Sequence, residues 1–383
     1  MTLAGELNCG VLVSLQLELS GYSTYLTAQG MNNSIDKLQE NPLQKTDEKL
    51  TIKQLNLAER QLWDSLVKTH ADGCFMQSWS WADFKELEGY KTFRYGLFLN
   101  RKLGGGCIFH FYPHMSNANL LMAPGTPLLP PSLGEEGMQL LREKAAVLAK
   151  ELGAIAFRIE PLWTQKPDYL TGFVRAPVDL LPSETLLIDL RPTEAEMLAA
   201  MKPKGRYNLR LSWRRGVETD FTTDSQAIPV FYDLFWETVK RQQFFGEPYS
   251  FFINLCQTLF AANIAEIGLA RWRGKVLAAI LVVYWGNRAT YLYGGRNFEH
   301  PEVMAPYALH WAAMQRSKAQ GCTVYDFYGF TRDANHGYAK FSQFKSQFGG
   351  VPVTTIGAHD YFFYDQLADT LISLFRNLAG DGK

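Results

Sequence analysis

Lys345 is the residue whose type and setting most suggest chemistry. It sits in AKFSQFKSQFGG (339–350), where Phe341, Phe344, Lys345 and Phe348 recur at three- and four-residue spacing. A helical turn there would set an ammonium beside an aromatic face, where it could stabilise negative charge on a reacting oxygen. It could equally be a surface lysine whose stem covers a buried Phe pair while its head reaches water. Just upstream, TVYDFYGF (323–330) alternates aromatic with small or polar residues. It reads as a strand over 323–330, closed by a glycine where backbone can approach a ligand. Asp326 could take a proton from an attacking group or merely hold its loop. His336, alone in a turn, is a weaker candidate.

Other groups could bind rather than react. Residues 201–215, MKPKGRYNLRLSWRR, carry Lys202, Lys204, Arg206, Arg210, Arg214 and Arg215. On a helix, Arg206, Arg210 and Arg214 share one face, with Tyr207 and Trp213 interleaved. Such a face suits an RNA backbone, though a solvated helix has the same look. In TYLYGG (290–295), Tyr291 and Tyr293 occupy alternate strand positions, so they are expected on one face, lining a groove or a core.

The elements that must position these groups belong to a folded chain. Of 383 residues 47% are hydrophobic, enough for two domains, and 38 basic residues balance 38 acidic ones. No global field draws the chain to nucleic acid or membrane, so such contacts must be local. The five cysteines are scattered without metal-ligand spacing, which fits a reducing, cytoplasmic setting and no zinc. No run reaches the ~20 apolar residues of a membrane span. Residues 1–47 lack the basic start of a signal peptide and are expected to be a disordered extension, or an artefact of a start at Met1 rather than Met31.

Helices are expected over 55–70, 77–87 (capped by Ser78 or Ser80), 135–152, 194–201, 204–215, 228–245, 249–262 and 305–320. Strands are expected over 93–99, 106–112, 120–122, 154–160, 186–190, 267–272, 275–285, 289–294 and 323–327. One order occurs twice: three strands, a helix stopped by Gly153 or Gly321, and another strand. The pattern is an internal duplication of a β-β-β-α-β unit.

That unit is the arrangement of the GNAT acyltransferase fold, so the expected class is α/β (α+β) with two tandem GNAT-like domains. The expected division is 48–185, completed by 355–383, and 186–354. Acyl-CoA enzymes of this fold cradle pyrophosphate on a glycine-rich turn opening the central helix. Residues 296–306, RNFEHPEVMAP, lack those glycines, which disfavours acyl-CoA as donor.

The chain resembles the Fem family of peptidoglycan bridge-forming aminoacyltransferases. The resemblance covers roughly residues 70–360 and rests on seven motifs in the family's order: FMQSWSWADFKE (75–86), RIEP (158–161), MKPKGRYNLRLSWRRGVE (201–218), KRQQFFGEPYSFF (240–252), TYLYGG, YDFYGF (325–330) and FKSQFGG (344–350). It implies transfer of an amino acid from aminoacyl-tRNA to an amine of a precursor stem peptide, either UDP-MurNAc-pentapeptide or a lipid-linked muropeptide, with no metal or redox cofactor. It implies a monomer in the cytoplasm, or peripheral at the inner face of the plasma membrane. It places Lys345 at the reaction centre, Lys85 and Arg241 on acceptor phosphate, Glu160 near the acceptor amine, and Tyr291 and Tyr293 along the acceptor groove. From the residues alone, Lys85 could instead be an exposed helix ion-pair partner, Glu160 a helix cap, and Arg241 a cation–π partner. The alternative activity is N-acyl transfer from an acyl-CoA or acyl carrier to a small amine. A C-terminal helix over 361–378 is expected to pack on the first domain through Leu367, Leu371, Leu374 and Phe375.

Overall fold

The doubled strand order becomes two seven-stranded sheets. A computed structural model describes residues 49–367 apart from 114–117, 131, 132, 244 and 366. The expected leader and most of the expected C-terminal helix therefore lie outside the described residues. In chain order the first elements are β1 (Leu50–Gln54), α1 (Arg60–Thr69), α2 (Trp79–Leu87), β2 (Lys91–Leu99), β3 (Lys102–Tyr112), β4 (Asn119–Pro124), α3 (Gly134–Leu152), β5 (Ala154–Glu160) and β6 (Val174–Arg175). There follow β7 (Glu184–Asp189), α4 (Glu194–Ala200), α5 (Pro203–Arg214), β8 (Glu218–Thr222), α6 (Ala227–Gln242), α7 (Tyr249–Ala261), β9 (Ala265–Trp272), β10 (Lys275–Trp285) and β11 (Arg288–Arg296). The last are α8 (Ala305–Ala319), β12 (Val324–Asp326), α9 (Ala339–Lys345), β13 (Val351–Thr354) and β14 (His359–Phe362).

Local chemistry explains the repeated part. Each meander turns on a two-residue hairpin, Asn100–Arg101 with φ of 49° and 69° and Arg273–Gly274 with φ of 50° and 76°, the left-handed pair that matches strand twist. The first turn is thus shorter than the expected 100–105, and β3 starts at Lys102. The crossover helices α3 and α8 each end beside a left-handed glycine, Gly153 and Gly321. Ser78, not Ser80, caps α2, accepting from Trp81 N–H at 3.1 Å.

The sheets run β1-β2-β3-β4-β5-β14-β6 and β8-β9-β10-β11-β12-β7-β13. Position by position the pairings agree: antiparallel throughout except the parallel steps β4–β5 and β11–β12. The sixth strand differs in origin, because β7 precedes its own unit whereas β14 returns from the end of the chain. It is held there by Arg158 on β5, whose guanidinium donates to both carboxylate oxygens of Asp360 at 2.7 and 2.9 Å with both side chains fully buried. Strands β1, β6, β8, β13 and β14 were not expected from the sequence.

The helices α1 and α2 of the first half and α6 and α7 of the second bury their aromatic faces in one shared core. Trp63, Trp81 and Phe84 meet Phe231, Phe251 and Phe252 there, with Phe84 and Phe251 edge to face at 5.2 Å. This common core fixes one sheet against the other.

Candidate active site

The strands β11 and β12 pair in parallel only at Arg288–Val324, Ala289–Tyr325 and Thr290–Asp326, and then part. The expected strand over 323–330 is corrected here: it stops at Asp326. Beyond it, Tyr328 and Gly329 turn left-handed, with φ of 43° and 69°. Asp326 causes this by accepting the Tyr328 N–H at 2.9 Å while also accepting from Arg288 Nη1 at 3.0 Å and from the Thr185 hydroxyl. Its oxygens are thereby occupied in holding the loop.

Lys345, last residue of α9, completes the turn. Its Nζ donates to the carbonyls of Tyr328 at 2.6 Å and Gly329 at 2.5 Å and lies 5.5 Å from the Tyr291 ring centroid. The surface-lysine alternative falls, because the residue is 8% exposed. Burial pulls its ammonium down to about 7, against which the nearby Asp326 charge favours the cation. The segment is anchored by α5: Lys202 N–H donates to Gln347 O at 3.1 Å, and Lys202 Nζ to Ser346 Oγ at 3.1 Å. Only a glycine fits at 205, where a Cβ would meet Gln347 O at 2.2 Å.

Two cavities adjoin this turn. The larger, about 480 Å³, lies between β10–β11 and the helices α5, α8 and α9 and is lined by Tyr291, His310, Phe344, Lys204, Arg296 and Lys340 among others. The smaller, about 70 Å³, lies between the two sheets, with Cys74, Glu160, Thr185, Arg288, Asp326 and Tyr328 on its walls. Thr290 faces the small cavity and its neighbour Tyr291 the large one, as adjacent strand residues must. Lys345 therefore stands on the partition, holding a carbonyl of one wall beside a ring of the other.

Tyr291 and Tyr293 do not share a face, contrary to expectation. A bulge in the β10–β11 ladder at Leu292 pairs Tyr291 with Val282 and Tyr293 with Leu281. Tyr291 packs on His310, ring centroids 4.6 Å apart, whereas Tyr293 joins Phe235, Phe251 and Phe252 in the shared core. Gly295, next along the strand, lets α6 approach so closely that a Cβ would meet the Leu234 backbone at 2.3 Å.

His310 was not anticipated. Its Nδ1 pairs with the Tyr325 hydroxyl at 3.0 Å, and burial, with the Lys345 charge adding to it, pulls it down to about 3, so the imidazole is neutral. Its sequence context, an apolar helix, carried no signal beyond a core face. Arg288, Arg296 and Thr185 were likewise missed. His336 lies in an exposed turn and accepts the Tyr338 N–H at 3.1 Å.

Lys85 is no exposed ion-pair partner. It is 9% exposed, its Nζ 4.0 Å from the Tyr90 ring centroid and 5.6 Å from Tyr112, and burial pulls it down to about 8 despite Glu88 and Glu247. Glu160 caps a loop rather than a helix, accepting the N–H groups of Leu180 at 2.9 Å and Leu181 at 2.5 Å. Burial pushes it up to about 8, outweighing Arg158 and those two donors. Arg241 stacks on Phe298 at 3.9 Å, beside Arg296 at 4.3 Å on the same ring. Of the basic run, Arg206 is consumed internally, donating to Ala199 O at 2.8 Å and to Met201 O. Lys202 is tied to Ser346, and Lys204 lines the large cavity, while Arg210, Arg214 and Arg215 point to solvent. Among the described residues no group of three or more His, Cys, Asp or Glu could hold a metal.

The acetyltransferase (GNAT) domain profile matches residues 203–345, the span from α5 to Lys345. The Lipid II:glycine glycyltransferase of Staphylococcus epidermidis is 19% identical over 391 residues, covering 81% of this chain and 92% of that protein. The enzyme of the same name from Staphylococcus aureus is 20% identical, covering 79% and 91%. The crystal structure of FemX superposes with a TM-score of 0.74 at 19% identity, covering 83% of this chain and 99% of that one. Across about four fifths of its length the chain resembles these proteins in sequence and FemX in fold. It is an aminoacyltransferase with two GNAT-like sheets. No helix among the described residues is long and apolar enough to cross a membrane.

Proposed function

We propose that this protein acts as a Fem-type enzyme and transfers an aminoacyl group from aminoacyl-tRNA to an amine on the stem peptide of a peptidoglycan precursor. The carrying observation is the buried Lys345 ammonium on the partition between two cavities. Acyl transfer between two large substrates needs their ends to meet from different sides, with a cation where they do. The donor ester enters the large cavity, with Lys204 at its RNA end. The acceptor amine enters through the small one, a slot too narrow for anything but a slender chain end. Lys85 and Arg241 hold acceptor phosphate.

Two of the three Lys345 N–H bonds are spent on carbonyls, and the third is free for the ester oxygen. The amine nitrogen forms its bond to the carbonyl carbon, and charge collects on that oxygen beside the ammonium. The ester C–O bond breaks, and the tRNA hydroxyl leaves with a proton. Asp326, already committed to three donors, is a positioning residue. Glu160, on the amine's side with its carboxyl pushed up to about 8, accepts the amine proton in its ionised form.

An acyl-CoA donor is not supported. The helix α8 opens with Ala305 and Pro306, and Pro306 has no N–H to give a pyrophosphate. Mass spectrometry of UDP-MurNAc-pentapeptide and of lipid-linked precursor, each incubated with the protein and a mixture of charged tRNAs, tests the proposal. An added aminoacyl mass that disappears with ribonuclease is expected. An added acyl mass that requires CoA instead would reverse the donor assignment.

A further inference from the structure

The wall of the large cavity formed by α5 has an outer side that the transfer reaction does not use. Between Glu196 and Glu218 the chain has no carboxylate, and α5 shows Tyr207, Arg210, Trp213 and Arg214 to solvent. Tyr207 is 59% and Trp213 46% exposed, high values for rings of that size. The Arg214 guanidinium lies over Tyr207 at 6.0 Å, and Trp213 meets Trp311 of α8 edge to face at 6.4 Å. On one side of Trp213 is a groove of about 540 Å³ floored by Ala195, Leu198, Val217, Ala308 and Ala312, with Glu194 the one carboxylate among its lining residues. On the other side is an open groove edged by Arg206, Tyr207, Arg210 and Arg214.

We propose that this face docks the protein on an anionic lipid surface. Exposed Trp and Tyr are the side chains that settle at the headgroup level of a bilayer, and arginines beside them gain from anionic headgroups. The aliphatic groove decides between lipid and RNA. It accepts acyl or glycerol carbons, whereas a sugar-phosphate backbone has nothing to place there. Charge complementarity sets the occupant as acidic phospholipid. The benefit to catalysis rests on the proposed lipid-linked acceptor, but the docking itself does not.

The full-length protein is sedimented with vesicles of phosphatidylcholine alone or mixed with phosphatidylglycerol, across a salt series. Binding to the mixed vesicles only, weakening with salt and accompanied by a blue shift of Trp emission, is expected. Arg210→Glu with Arg214→Glu should lower partitioning on the order of tenfold or more. Trp213→Ser should abolish the blue shift, with unchanged thermal melting in both variants. Absence of wild-type binding to mixed vesicles overturns the proposal. So does binding that the double variant leaves intact, or a CCA-ended RNA whose affinity falls in that variant while vesicle binding stays. If the vesicle results hold and no aminoacyl transfer is found, the docking surface stands and the proposed reaction fails.

Discussion

The parallel pair in each sheet separates the two halves of the molecule. In the first sheet β4 and β5 stay paired over six positions, to Pro124 opposite Glu160. In the second, β11 and β12 part after three. The first pair is sealed by a side chain: the Gln77 amide donates to Pro124 O at 2.9 Å and Ile108 O at 3.3 Å, and its oxygen accepts Ile108 N–H at 2.8 Å, all buried. At the second, the turn carbonyls that leave the ladder are taken by Lys345. A parted pair must satisfy its freed backbone groups somehow. A neutral amide closes the site, whereas an ammonium satisfies the carbonyls and leaves a charged donor beside a cavity. The duplicated fold is closed at this point in one copy and opened onto a cavity in the other.

Lys345→Met breaks the comparison most severely. Single-turnover transfer should fall about 10²–10³-fold, roughly 3–4 kcal/mol, with substrate binding within a few-fold of wild type. Lys345→Arg sharpens the result through pH. Because the ammonium is held near 7, the decline on the alkaline side of the wild-type kcat/KM profile should follow its deprotonation. The guanidinium stays charged, so the arginine variant should be slower but lack that decline.

Gln77→Leu attacks the closed copy. It strands the Ile108 N–H and two carbonyls in an apolar interior, and about 3 kcal/mol of folding stability should be lost by denaturant titration. Turnover of the protein that remains folded should be unchanged. A large rate loss would mean that the first sheet is no mere buttress.

Lys85→Met tests the first half's other contribution, the cation boxed by Tyr90 and Tyr112. Acceptor KM should rise about tenfold with kcat nearly constant, the mark of binding lost equally in ground and transition states. The last prediction concerns the part Glu160 plays in folding. Its carboxyl, pushed up to about 8, binds its proton more tightly in the folded than in the unfolded chain. The stability it contributes is complete below the unfolded value near 4.5 and is lost as pH rises through 8. Wild-type Tm should drop by a few degrees across that window, and Glu160→Gln should flatten the drop.

The hairpins at Asn100–Arg101 and Arg273–Gly274, the helix stops at Gly153 and Gly321, and hence the doubled order, were legible because turn chemistry and hydrophobic period act within a few residues. The motif order also pointed to the family and to Lys345. The edge strands β1, β6, β8 and β13 were not legible, since an edge strand is defined by a neighbour distant in sequence. The opposite facing of Tyr291 and Tyr293 came from a single bulged residue, which shifts ladder register without altering composition. The burial of Lys345 and Lys85, the neutrality of His310 and the immobilisation of Asp326 by Thr185, 141 residues away, exist only once elements distant in the chain pack together. Residue types within a short window determine which chemistry is available. Desolvation and partners brought from far along the chain decide which of those groups is charged, free and facing a cavity.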